Sequence, residues 1–220
     1  MASSATQFDT DCKLMLHMDD AGLSDSSASP KAVTLNGNVA RTSGQSKFGG
    51  HSAVFDGSGD FLTIPDSPDW NIGTSDFTID FWVRYNSVSG YDYLFSRNGN
   101  GFAIRRNSTD YEIVISGGVV MARTLSPSIN TWYHIALVRS GTDLRLFNDG
   151  VQAGATVTNS SDLSDSTGIE IGGSSASGDY LDGWQDEFRF VKGTAVWTAN
   201  FPPPSAAYTP PLSGNFFLMF

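Results

Sequence analysis

The chain has 220 residues, enough for a sizeable core, and it carries 23 Gly and 15 Phe against only 3 Glu and 4 Lys. That composition is poor in helix formers and favours strands joined by turns. The net charge of −10 excludes a phosphate-backbone partner and disfavours an anionic membrane surface. One cysteine, Cys12, excludes an intrachain disulfide.

Residues 1–7 lack the basic start and apolar run of a secretory signal, and no stretch approaches the ~20 apolar residues of a membrane span. The expectation is cytoplasmic synthesis without export by the general route and without membrane insertion.

In chain order, residues 13–18 read as a short apolar strand. Residues 53–55 and 61–64 flank the turn Asp56-Gly57-Ser58-Gly59-Asp60. The clearest strand is 77–85, with Phe77, Ile79, Phe81, Val83 and Tyr85 on one face and Thr78, Asp80, Trp82 and Arg84 on the other. A face carrying Trp82 among polar groups predicts a covering loop or a ligand. Residues 102–106, 111–116 and 119–124 form a meander, turning at Ser116-Gly117-Gly118. Residues 132–139 and 144–148 pair next, and Asn148-Asp149-Gly150 turns into 151–155. Strands at 169–172 and 183–191 bring the total to about a dozen, and 193–197 reads as one helical turn.

From Phe201 the prolines at 202–204 and 210–211 cannot donate to a ladder, so the chain leaves the sheet. The expected organisation is a lead-in (1–12), one all-β, two-sheet antiparallel sandwich (13–200) and a Pro-rich tail (201–220). The tail ends in an apolar run, in which Phe216, Phe217, Leu218 and Phe220 are candidates for docking on another subunit. Folding back on the same sandwich is the alternative.

Asp186 shares strand parity with Trp184, Phe188 and Phe190, which places a carboxylate on the aromatic side. A buried charge there must be paired, hydrogen-bonded or bound to metal. Glycosidase chemistry needs two carboxylates facing one cleft, about 5–9.5 Å apart. Adjacent Asp186 and Glu187 are expected on opposite faces of a regular strand, and Asp80 has no acidic partner at Thr78 or Trp82. His17, His51 and His134 are scattered, so the reading is non-enzymatic. Trp70, Tyr91, Tyr93 and Tyr180 read as loop aromatics, with residues 68–71 and 89–93 as the loops, and are the candidate sugar-binding residues, with ordinary packing as their alternative.

Eight segments in order carry a family resemblance: Leu14-Met15-Leu16-His17-Met18-Asp19, Ser46-Lys47-Phe48-Gly49-Gly50, Ala53-Val54-Phe55-Asp56-Gly57, Phe61-Leu62-Thr63-Ile64-Pro65, Asp76-Phe77-Thr78-Ile79-Asp80-Phe81-Trp82-Val83, Trp132-Tyr133-His134-Ile135-Ala136-Leu137-Val138-Arg139, Leu144-Arg145-Leu146-Phe147-Asn148-Asp149-Gly150 and Leu181-Asp182-Gly183-Trp184-Gln185-Asp186-Glu187-Phe188-Arg189-Phe190. Together they resemble the laminin-G-like jelly roll of the concanavalin-A-like lectin/glucanase superfamily. The resemblance implies a calcium ion held by Asp19 and Asp186, with Asp20 where the family usually has Gly.

Trp197-Thr198-Ala199-Asn200-Phe201 before the prolines resembles the version common in bacteriophage virion and tail-associated proteins. The implied role is a virion structural protein (capsid decoration, fibre or tail-associated subunit) partnered by other virion proteins or itself. The alternative is a carbohydrate-binding or adhesion module at a bacterial cell surface.

Overall fold

In the computed structural model the described residues are 11–97 and 101–209. They form two large antiparallel sheets packed face to face, the all-β jelly-roll sandwich that the alternating aromatic strands imply. The nine-stranded sheet runs Val151–Gln152, Asp143–Asn148, Trp132–Ser140, Phe77–Tyr85, Asp182–Lys192, Ser52–Asp56 and Ala40–Thr42. Cys12–Leu16 also pairs with Asp182–Lys192, and Val157–Thr158 with Asp143–Asn148. The seven-stranded sheet runs Gly118–Thr124, Asp110–Ile115, Phe102–Asn107, Tyr91–Arg97, Ile169–Ile171, Phe61–Ile64 and Thr34–Asn36.

Phenylalanine rings join the two sheets. Phe81 stacks on Phe188, Phe95 lies 6.2 Å from Phe188, and Phe77 meets Phe102 edge-on at 5.7 Å. Offset and edge-on contacts suit the ring quadrupole. The side of 77–85 assigned to the core is the buried inner face.

Three local expectations are corrected. Residues 89–93 are not all loop, because Tyr91–Arg97 is a strand. Its inward Asp92 is paired with Arg106, which is also fully buried. A charge reads as surface in a sequence, but a buried partner makes it tolerable inside. No helix forms at 193–197; the helical turn is the 3-10 turn Pro68–Trp70, capped by Ser67 Oγ accepting from the Asp69 amide.

The third correction concerns parity. The ladder between Asp182–Lys192 and Phe77–Tyr85 shifts register between Asp186 and Arg189, and Glu187 sits at φ 51°. A bulge of one residue reverses the alternation beyond it. Trp184 and Asp186 therefore pair with Arg84 and Trp82 on the outer side, while Phe188 and Phe190 point into the core.

That outer side is covered, as the isolated tryptophan suggested. Trp197 and Phe201 stack at 4.0 Å and pack on Ala136, Val138 and Phe147. Phe48 meets Trp82 edge-on, with the Lys47 ammonium 3.8 Å from the centre of the Trp82 ring. Residues 193–209 thus form an irregular strap over the nine-stranded sheet.

Candidate functional site

The corner holding Asp19 and Asp186 is built by the loop after Thr42. Asp186 is fully buried, and its Oδ2 accepts the amides of Lys47 (2.7 Å) and Phe48 (3.1 Å). Asp19 Oδ1 accepts the His51 amide at 3.3 Å. Gly49, at φ +62°, faces Asp19 so closely that a Cβ would lie 1.8 Å from Oδ2. Burial pushes the Asp186 carboxyl up to about 7 against the pull of the two amides, with Glu187 and Asp19 adding like charge.

The bulge brings Glu187 to the same outer side, where it accepts from His17 Nδ1 (2.9 Å) and the Tyr208 amide (2.8 Å). The expected separation of Asp186 and Glu187 on opposite faces does not hold. Both are nonetheless buried and bonded to their own chain.

As a calcium site the corner fits in kind and falls short in number. Asp186 Oδ1 is buried without a hydrogen-bond partner, and the donors are hard oxygens. Among the described residues, however, no group of three or more His, Cys, Asp or Glu is placed to hold a metal.

Beside this corner, under the strap, lies a closed polar network. Asp80 accepts from Arg189 Nε (2.8 Å), from the Tyr208 hydroxyl and from His134 Nε2 (3.2 Å). Burial raises the Asp80 carboxyl, but the Arg189 guanidinium and His134 outweigh it and hold Asp80 below its ordinary value. With Asp80 and His134 fully buried, this network is internal to the fold.

The accessible chemistry is on the other sheet. Cross-strand pairing sets Thr34, Thr63, Glu170 and Ser96 in one row across the outer face of the seven-stranded sheet. Alternation along Phe102–Asn107, with a bulge between Tyr93 and Phe95 on the neighbouring strand, puts Tyr93, Arg105 and Glu112 in the next row, and Tyr91, Asn107 and Asp110 in a third. Tyr91 is 40% exposed, and the Arg105 guanidinium lies 4.9 Å from the centre of its ring. Arg105 cannot swing freely, because it donates to Glu112 Oε2 and to the Tyr93 hydroxyl, each at 2.8 Å. Asn107 donates to the other Glu112 oxygen at 3.2 Å. A groove of about 440 Å³ opens on the same face, lined by Thr34, Thr63, Glu170 and Ser175 among others.

Of the aromatic candidates, Tyr91, Tyr93 and Tyr180 are brought to this face. Tyr180 lies against Phe61 at 5.9 Å, on the short strand Asp179–Tyr180 that packs beside Tyr91–Arg97. Tyr93 is buried and offers only its bonded hydroxyl. Trp70 is elsewhere: fully buried, edge-on to Phe190 at 5.5 Å, with Nε1 donating to the Pro65 carbonyl. Its ring has no free face for a sugar. Phe216, Phe217, Leu218 and Phe220 lie outside the described residues.

Sequence reasoning missed Arg105, Asn107 and Glu112. Their signal was the two-residue spacing of Tyr91 with Tyr93 and of Arg105 with Asn107, legible only once 91–97 is seen as a strand.

Two aligned sheets and an aromatic, hydrogen-bonding outer face define a lectin-like β-sandwich. The profile of the concanavalin A-like lectin/glucanases superfamily, in its laminin-G form, matches residues 56–197, and the chain belongs to that family. Comparison with curated protein sequences finds no match.

Among solved structures, domain 4 of AbnA, an extracellular arabinanase from Geobacillus stearothermophilus solved with arabinotriose, is similar at TM-score 0.66 and 18% identity, over 84% of this chain and 94% of that one. The binding domain of botulinum neurotoxin DC, solved with rat synaptotagmin II, is similar at 0.66 and 16% identity, over 86% of this chain and 50% of that one. A botulinum neurotoxin type C structure, described as depending on two ganglioside molecules for cell entry, gives 0.67 and 14%, over 88% and 50%. The chain thus spans about half of either toxin chain, and at these identities the likeness is one of fold. Among the described residues no helix is long and apolar enough to cross a membrane.

Proposed function

We propose that this protein is a non-catalytic glycan-binding module whose site is the outer face of the seven-stranded sheet, centred on Tyr91 and Arg105. The observation that carries the reading is the half-exposed Tyr91 ring beside a guanidinium already held by Glu112 and Tyr93. A sugar ring can lay its C–H face on such an aromatic while its hydroxyls meet Arg105 and Asn107. Because Arg105 is fixed beforehand, little side-chain entropy is lost on binding.

The same face argues for binding without turnover. Its carboxylates are Asp110 and Glu112, two residues apart on one strand, and Glu170, three strands away. Glu170 is thus about 14 Å away at the usual strand spacing, and Glu112, which alone stands within the paired-carboxylate range of Asp110, has both oxygens bonded by Arg105 and Asn107. The arabinotriose and ganglioside named with the similar structures lend support, as ligands of those proteins. Such a face would serve a subunit of a bacteriophage particle or a bacterial surface protein, the two settings the resemblance implies.

Calorimetric titration with the strongest ligand from a glycan array tests the reading. Tyr91→Ala should weaken binding about tenfold or more, whereas Trp70→Phe should leave the affinity unchanged. Undiminished binding by the Tyr91 variant would remove the site from this face.

Calcium is a separate proposal, resting on the family resemblance and the unpartnered Asp186 Oδ1. Bound calcium would raise the melting temperature over that in a chelator. Identical melting curves would end the proposal.

A further inference from the structure

We propose further that this face selects a neutral oligosaccharide over a single sugar or an acidic glycan; the inference rests on the glycan reading above. Two separate features carry it, one of length and one of charge.

The length follows from strand order. Tyr91 and the groove at Thr34, Thr63 and Glu170 lie on one face but at different places along and across the sheet. Thr34–Asn36 is three strands from Tyr91–Arg97. Across the strands alone this is about 14 Å, and the offset from Tyr91 to the Ser96 row adds to it. A single sugar ring cannot touch both places, whereas a short oligosaccharide can. The groove suits a sugar by volume and lining, because the hydroxyls of Thr34 and Thr63 flank the apolar Ile64 and Pro65. Its carboxylate is preset: Glu170 accepts from Ser96 Oγ at 3.3 Å and from the Ser175 amide at 3.0 Å.

The charge follows from the residues in the three rows. Arg105 is the cation among them, and Glu112 neutralises it at 2.7 Å. Asp110 and Glu170 remain on the face, and the whole chain carries −10. A sialic acid or uronate would bring its carboxylate to a surface with no uncommitted cation in those rows. Discrimination then comes from repulsion as much as from attraction. A neutral sugar meets only hydroxyls, ring faces and preset hydrogen-bonding groups.

The experiment compares the wild-type chain, Tyr91→Ala and Thr34→Arg on one glycan array. The array carries monosaccharides, the matching tetrasaccharides, and sialylated and uronate-bearing glycans. Thr34 is exposed on an edge strand, so a long side chain there fills the groove without entering the core. The expected result is binding to neutral tetrasaccharides and not to monosaccharides or acidic glycans. That binding should be weakened about tenfold or more by Tyr91→Ala and about tenfold by Thr34→Arg, a loss of about 1.4 kcal/mol.

Preference for acidic glycans, equal binding of monosaccharides, or indifference to Thr34→Arg would overturn this inference while leaving the Tyr91 site standing. Absence of any glycan binding would overturn both.

Discussion

Arg189→Met should lower the unfolding free energy by about 3–5 kcal/mol and the melting temperature by roughly 10 °C. Arg189 is almost fully buried and donates to a fully buried Asp80. Its guanidinium also packs 4.2 Å from the centre of the Tyr208 ring and 5.2 Å from that of Trp197. Methionine fills much of the same space but leaves the Asp80 carboxylate facing only His134 and the Tyr208 hydroxyl. An uncompensated buried charge costs far more than the intact pair contributes.

The double variant Arg189→Met, Asp80→Leu should therefore recover much of the loss, since it removes both charges. Thermal melts of the two single variants and the double variant complete the cycle. A single-variant loss below about 1 kcal/mol would show the pair to be solvated, as surface pairs are.

Asp186→Asn should stabilise the protein at pH 8 and have little effect below about pH 4. The folded-state carboxyl sits at about 7, against about 3.9 in the unfolded chain. A raised value means that the folded state holds its proton over a range where the unfolded state has lost it. Stability therefore falls as pH climbs from about 4 to 7. Asparagine has no proton to lose, and its carbonyl can still accept the Lys47 and Phe48 amides. Its amide group would face the like-charged neighbours Glu187 and Asp19, which become acceptors.

The gain at pH 8 should be on the order of 2–4 kcal/mol, read as the difference between variant and parent denaturation curves. His17 contributes in the same direction. Burial lowers its value, but the Glu187 hydrogen bond and charge outweigh that and raise it overall, so its stabilisation is also lost as pH rises. Comparing the variant with its parent at each pH isolates the Asp186 part. A variant less stable than its parent at pH 8 would show that Asp186 is held as a carboxylate there.

Strands whose two faces differ in the sequence were legible, and Phe77–Tyr85 is the best case, with its inner aromatics and its outer Asp80 and Trp82. Tyr91–Arg97 was not, because Asp92 and Arg97 look like loop residues until their partners are known. Arg106 pairs with Asp92, and Arg97 donates to the Leu163 carbonyl.

The bulge at Glu187 was invisible for a different reason. A positive φ usually announces itself as Gly or Asn, and a Glu in a strand gives no such signal. Parity beyond it was therefore read one residue out of step, and the parity argument against paired carboxylates failed with it. The bonds that Arg105 and Asn107 make to both Glu112 oxygens supply the argument instead. Trp70 looked like a surface aromatic because Pro, Asp and Asn surround it, yet the 3-10 turn directs its ring inward. Tyr91 sat in an equally polar setting and did reach the surface. What separates them is cross-strand register, which local composition does not encode.

Backbone amide chemical shifts, recorded before and after saturation with a neutral tetrasaccharide that binds on the array, test the central claim most directly. Binding at the outer face of the seven-stranded sheet would concentrate the shifts in Tyr91–Arg97, Phe102–Asn107 and Asp110–Ile115 and extend them to Thr34–Asn36 and Phe61–Ile64. Shifts confined to the loop from Ser46 to His51, or to the strap over the nine-stranded sheet, would place the site on the opposite side and contradict it.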